Sequence, residues 1–234
     1  MRNLLIIKAG KSFPSVVKKC GDFEDWIISG MIPLPCEVKV AAAYKNTRLP
    51  DYDSISGVVL TGSHAMVTDR EPWSERIAQW IPGLVERGIP FLGICYGHQL
   101  LAQAMGGTVG YHPKGREIGT VTIKVNAEAK EDPLLNVLPT EFPAHVTHSQ
   151  SVLKLPPGAG LLASNEFEPH HAFRLGKSAW SIQFHPEFNA RIMRSYINEM
   201  AEFLNQEGLS PDLLRNNVTE TPDSNMLLRR FAQI

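Results

Sequence analysis

"FLGICYGHQLLAQAMGG", Phe91 to Gly107, passes from a short apolar run through one cysteine into an alanine- and leucine-rich segment. An apolar run too short for a helix, followed at once by helix formers, reads as a buried strand turning sharply into a helix. The same alternation continues outward on both sides. "NLLIIK" (Asn3 to Lys8) reads as a buried strand, "VVKKCGDFEDWIISG" as a helical segment, and "CEVKVAAAY" and "GVVLTG" as strands. "WSERIAQWIPGLVERG" places Ile77, Trp80, Ile81 and Leu84 at helical spacing before "IPFLGI" returns to strand. Strands separated by helices of this length pair in parallel and carry helices on both faces, so the fold class is α/β with an open, mostly parallel sheet. From Arg116 onward the pattern changes to strands and turns, "EIGTVTIKV", "AHVTHSQSV", "GLLASNEF", "HHAFRLG" and "SAWSIQFH", which predicts mixed strands in the second half. "NARIMRSYINEMAEFLNQEG" closes it as a helix. Residues 1–205 read as one domain, and residues 206–234, polar from Ser210 on apart from "MLLRRF", as a tail or packing arm.

Composition narrows the functions available. The 234 residues are 43% hydrophobic, enough to bury a sizeable core, and the formal net charge is -1. No Lys/Arg cluster marks a nucleic-acid or membrane surface, so neither partner is expected. "LLII" is too short for a signal-peptide core and no run approaches a membrane span, which predicts a cytoplasmic protein. Cys20, Cys36 and Cys95 lack metal-ligand spacing, and their odd number argues against a disulfide framework.

Most free cysteines are small buried hydrophobes. Cys95 differs in its neighbours: Gly93 and Gly97 flank it at two residues on either side, the spacing of a nucleophile elbow with cysteine in place of serine. The helix beginning just beyond aims its N-terminal amides at the sulfur and favours a negative charge there. A base is supplied by "SIQFHPEF", where His185 precedes Pro186 and Glu187. Proline biases the residue before it towards an extended conformation and stiffens the segment. Alone, His-Pro-Glu reads as a turn after a strand. With Cys95 it makes a candidate Cys-His-Glu triad, Glu187 holding the second ring nitrogen of His185.

"GICYGHQLLAQAMGG", "REIG" (Arg116 to Gly119), "THSQSV" (Thr147 to Val152) and "QFHPE" (Gln183 to Glu187) occur in that order. Together they resemble the class I, triad-type glutamine amidotransferases, most closely the amidotransferase domain of GMP synthases, over about Asn3 to Leu204. The resemblance implies a flavodoxin-like sheet and hydrolysis of the glutamine side-chain amide, with no cofactor. It implies that Cys95 is the nucleophile, His185 the acid/base and Glu187 the orienting carboxylate. The backbone amides of Ser63 and Tyr96 become the oxyanion hole, and Gly62, Gln99, Ser149 and Gln150 the substrate-binding positions. The chain departs from the family at "LTGSH", where Ser63 stands in place of the second glycine of a Gly-Gly-Pro loop. That predicts either a strained backbone at Ser63 or a loop that flips when substrate binds.

Three functions remain open. The chain hydrolyses glutamine and passes ammonia to a synthetase partner chain, or it is a stand-alone hydrolase of a γ-glutamyl compound, or it is a non-catalytic module on the same fold. The intact Cys95, His185 and Glu187 argue against the third. Other motifs are decoys. "AGKSFPS" lacks the first glycine of a phosphate loop, because Leu5 occupies its place. His145, His148, His170 and His171 lack a two-ligand helical face and read as strand or loop histidines, with no metal expected. The Asn217-Val218-Thr219 sequon should carry no sugar without a secretory signal.

Overall fold

β1 (Asn3–Lys8) is buried along its whole length, and the rest of the fold is laid out around it. The structure, a computed structural model, describes residues 3–34, 36–45 and 47–234. After β1 come α1 (Pro14–Cys20), α2 (Phe23–Met31), β2 (Val38–Ala42), β3 (Ile55–Leu60), α3 (Pro72–Glu86), β4 (Phe91–Ile94) and α4 (Tyr96–Ala104). β5 (Thr108–Tyr111), β6 (Glu117–Val125), β7 (Glu141–His148), β8 (Gln150–Lys154), β9 (Gly160–Ser164), β10 (Ala172–Leu175) and β11 (Ala179–Ile182) follow. α5 (Ala190–Glu199), α6 (Ala201–Gln206), α7 (Pro211–Asn216) and α8 (Pro222–Phe231) complete the chain.

The main sheet has the order β2-β1-β3-β4-β11-β10-β9-β6-β7, and β5 pairs with β8 in a separate ribbon. From β2 to β11 neighbours run parallel, and from β11 to β7 they run antiparallel. The expected α/β fold, parallel first and mixed later, is what the chain adopts. Strand alternation divides the core between the two faces. Leu4, Ile6, Val59, Leu92 and Ile94 meet α2 and α8 on one face, while Leu5, Ile7, Val58, Leu60 and Phe91 meet α3 and α4 on the other.

Local chemistry breaks three segments that read as continuous. Gly21 (φ 85) ends α1 in a conformation that favours glycine, and a capping box between Asp22 and Asp25 starts α2 afresh. Lys8 reaches Asp22 and Glu24, both at 2.6 Å, and ties that cap to β1. "AHVTHSQSV" divides at Ser149, so β7 stays in the main sheet while β8 leaves it for β5. The closing helix is interrupted at Met200. Residues 206–234 include two helices, and Leu227, Leu228 and Phe231 of α8 enter the core.

Candidate active site

Three adjacent parallel strands, β3, β4 and β11, end on one edge of the sheet, where open α/β sheets gather their ligands. Cys95 follows β4 and is one of two non-glycine residues with positive φ among the described residues, at φ 51 and ψ -97. A cysteine held there carries backbone strain that the surroundings must sustain. They do so through close packing: a Cβ on Gly93 would fall 2.5 Å from the Gly97 carbonyl, and one on Gly97 would collide with the Leu60 carbonyl of β3. The Cys95 amide donates to Ile182 O of β11 at 2.9 Å, which fixes the turn against the strand that carries the histidine.

His185 lies three residues beyond β11, and its amide donates to His145 O at 2.8 Å. Its ring is buried, with Nδ1 at 2.7 Å from Glu187 Oε1, while Nε2 has no hydrogen-bond partner among the described residues. Phe188 stacks on the ring with centroids 4.2 Å apart. Burial works against a charged imidazole, but the Glu187 carboxylate and the Cys95 sulfur outweigh it and raise the His185 pKa to about 10. Gly62 packs behind this pair: a Cβ there would meet His185 Cε1 at 3.0 Å and Cys95 Cβ at 3.8 Å. Gly62 thus lies against both the imidazole and the thiol.

The cavity beside Cys95 holds about 260 Å³ and is lined from both halves of the sheet, by Ser63, Tyr96, Gln99, Ser149 and Gln150 among others. Ser63 is not strained, since Arg70 and Cys95 alone among the described non-glycine residues have positive φ. Its hydroxyl donates to Ala9 O at 3.0 Å and accepts from the Ala65 amide at 3.1 Å. Tyr96 is the first residue of α4, so its amide is one of those a helix leaves free at its N-terminus. Gln99 donates through Nε2 to Gln150 O at 2.8 Å and to Gln183 Oε1 at 3.0 Å, which pins the strand break at Ser149 to α4. The Gln150 side chain turns to Thr68 and its carbonyl is also met by His148 Nδ1 at 3.0 Å.

Other lining residues were not legible as such: Phe13, His64, Arg116 and Tyr196. Phe13 packs on His64 with centroids 4.4 Å apart, and the Tyr196 hydroxyl lies 2.7 Å from Ser12 Oγ. A second unanticipated contribution comes from α8, where Asn225 donates to the carbonyls of Pro186 and Phe188 and so braces the segment carrying His185 and Glu187. The four histidines singled out as decoys do not converge on one partner. His145 meets Thr120, His170 meets Val152 O, and His148 and His171 share Glu117 at 3.0 and 3.3 Å. Burial disfavours a charged Glu117, yet the two imidazoles prevail and hold its carboxyl well below the usual carboxylate range.

The family model of class-I glutamine amidotransferases matches residues 16–201. The chain belongs to this family. Among curated relatives, GMP synthase [glutamine-hydrolyzing] of Thermosipho africanus is 35% identical over 154 residues, 63% of this chain and 28% of that protein. The chain thus spans less than a third of the length of that relative. Gamma-glutamyl peptidase 4 of Arabidopsis thaliana is 29% identical over 178 residues, 75% of this chain and 68% of its own length. A crystal structure of a glutamine amidotransferase from Thermotoga maritima superposes with a TM-score of 0.77 at 23% identity, covering 99% of this chain and 96% of that one, a likeness of fold. No helix among the described residues is long and apolar enough to cross a membrane.

Proposed function

We propose that this class I amidotransferase hydrolyses the side-chain amide of glutamine through a Cys95 thioester and hands the ammonia to a separate synthetase. The observation that carries the reading is the buried His185, oriented by Glu187 through Nδ1 and presenting an unpartnered Nε2 beside the Cys95 elbow. Cys95 attacks the amide carbon, and His185 protonates the departing nitrogen so that ammonia leaves. Water, deprotonated by the same imidazole, then cleaves the thioester and releases glutamate. The free amides of Tyr96 and Ser63 stabilise the oxyanion of each tetrahedral intermediate.

A second reading, a stand-alone hydrolase of γ-glutamyl peptides, is favoured by one observation. The match to gamma-glutamyl peptidase 4 covers 68% of that protein, whereas the match to the GMP synthase covers 28%. The two readings share a thioester and differ in the leaving group. Steady-state glutamate release from glutamine and from γ-glutamyl dipeptides by the isolated chain tests both. A higher kcat/KM for glutamine supports the amidotransferase, a higher value for dipeptides supports the peptidase, and release from neither overturns the hydrolytic reading.

A further inference from the structure

Arg116 immediately precedes β6 and is the one Lys or Arg among the residues lining the cavity, which include no Asp or Glu. Its side chain is 11% exposed and is held from outside the cavity by two residues beyond the family match. Nε donates to Glu207 Oε2 at 2.9 Å, and the guanidinium lies 5.0 Å over the Phe203 ring. No protein acceptor engages either Nη group among the described residues. A guanidinium fixed through Nε and by stacking, with its Nη groups unclaimed, is prepared for one more planar anion.

The position along the sheet matches a substrate of modest length. Cys95 Sγ lies 3.9 Å from Thr147 O, and Glu117 pairs with His148, so Arg116 falls one step further along the ladder, level with Ser149. Two residues of strand separate Thr147 from Ser149, roughly 7 Å. Four carbon–carbon bonds separate the scissile carbon of a γ-glutamyl group from its α-carboxylate carbon, a reach of about 5 Å. The shortfall of about 2 Å is less than one hydrogen-bond length, so a carboxylate so placed is within reach of the Arg116 side chain while the amide carbon stands at the thiol.

We infer that Arg116 is a specificity-determining residue that binds a carboxylate of the substrate. The inference rests on the hydrolase reading for the class of substrate. The carboxylate is either the α-carboxylate of the glutamyl group or the terminal carboxylate of a leaving amino acid, and the test separates them.

The test measures calorimetric binding to the full chain bearing Cys95→Ala, which prevents turnover. The probes are L-glutamine against L-glutaminamide, and γ-glutamylglycine against γ-glutamylglycinamide. With Arg116 present the acid of at least one pair binds more tightly. Adding Arg116→Met weakens that acid on the order of 10- to 100-fold and leaves its amide unchanged. A loss for glutamine that spares glutaminamide, with γ-glutamylglycine and its amide weakened alike because both keep the α-carboxylate, assigns the α-carboxylate, and a loss confined to γ-glutamylglycine assigns the leaving group. Arg116→Lys keeps charge and stem without the fork, gives an intermediate loss, and decides the matter if the methionine variant does not fold. Equal losses for acid and amide in both pairs, or no acid preference in either pair at the outset, overturn the inference. Turnover by the chain with an intact Cys95 is scored separately. Turnover without acid preference leaves the hydrolase reading standing, and acid preference without turnover leaves Arg116 assigned while that reading fails.

Discussion

Two turns meet at the thiol, and they are held in different ways. The β4–α4 turn places Cys95 at positive φ and is maintained by glycines where any side chain would force a shift, because Gly97 abuts Leu60 O and Gly93 abuts Gly97 O. The turn after β3 carries Ser63 without positive φ and is maintained by a hydroxyl bridging Ala9 O and the Ala65 amide. Gly10 belongs to this second arrangement, since a Cβ there would fall 2.6 Å from Ser63 Oγ. Backbone geometry secures one turn and a side chain secures the other. Substitutions at the first should therefore be far more costly than substitutions at the second.

The largest effect is expected at the elbow itself. Cys95→Ala should abolish glutamate release, by at least on the order of 10⁴-fold, since no other side chain can form the thioester. Undiminished turnover would remove the triad assignment altogether. Cys20 and Cys36 lie outside the site, so replacing both should leave labelling by a glutamine-analogue electrophile at a single residue.

His185→Ala should cost about 10⁴-fold in kcat, and Glu187→Gln less, on the order of 10³-fold, because an amide still orients the ring without supporting its charge. The pH profile sharpens this. Glu187 raises the His185 pKa, so the wild-type rate should fall only as pH rises through about 10, and loss of the carboxylate should move that alkaline limb to lower pH. An unmoved limb in Glu187→Gln would show that another group sets it.

Gly97→Ala probes the elbow without touching its chemistry. The added methyl must displace either β3 or the start of α4, with an expected destabilisation of about 1–3 kcal/mol. A displaced Cys95 should then lose roughly a hundredfold in turnover. Full activity and an unchanged melting temperature would mean that the turn is softer than its contacts imply.

The contrast between the turns also accounts for what could be read from the chain. Gly93, Cys95 and Gly97 are local and their spacing is forced by sterics, so the elbow is legible, as is the His-Pro-Glu segment whose members are adjacent. The parallel half of the sheet is legible because β1, β3 and β4 each carry a short buried apolar run between helical segments. The breaks at Gly21 and Ser149 are not, since helix and strand periodicity run on through them while a cap or a change of partner decides the outcome. Asn225 and Arg116 were hidden for another reason. Their partners, Pro186 and Glu207, lie 39 and 91 residues away in sequence, and only the packing of the last helices brings them together. Gly10, whose phosphate-loop reading already fails at Leu5, finds its steric purpose in the Ser63 hydroxyl beside it.

The smallest effect is expected at Ser63, where the two turns differ most. A hydroxyl has one proton to donate, and that of Ser63 is directed to Ala9 O, so it cannot also be the oxyanion donor while the loop holds this form. Its main-chain amide stays available. Ser63→Ala and Ser63→Gly both retain that amide and lose the brace, whose two hydrogen bonds are each worth about 1 kcal/mol. Relief of backbone strain cannot offset the loss, because Ser63 is not in a strained region. Both variants should therefore lose less than about tenfold in kcat, with alanine the milder because glycine also loosens the loop. The check is to measure kcat and melting temperature together for the pair. A loss on the order of a hundredfold in Ser63→Ala, with stability and glutamine binding intact, is the cost of a missing oxyanion contact. It would mean that the hydroxyl leaves Ala9 when substrate arrives, and that the second turn is as closely tied to the chemistry as the first.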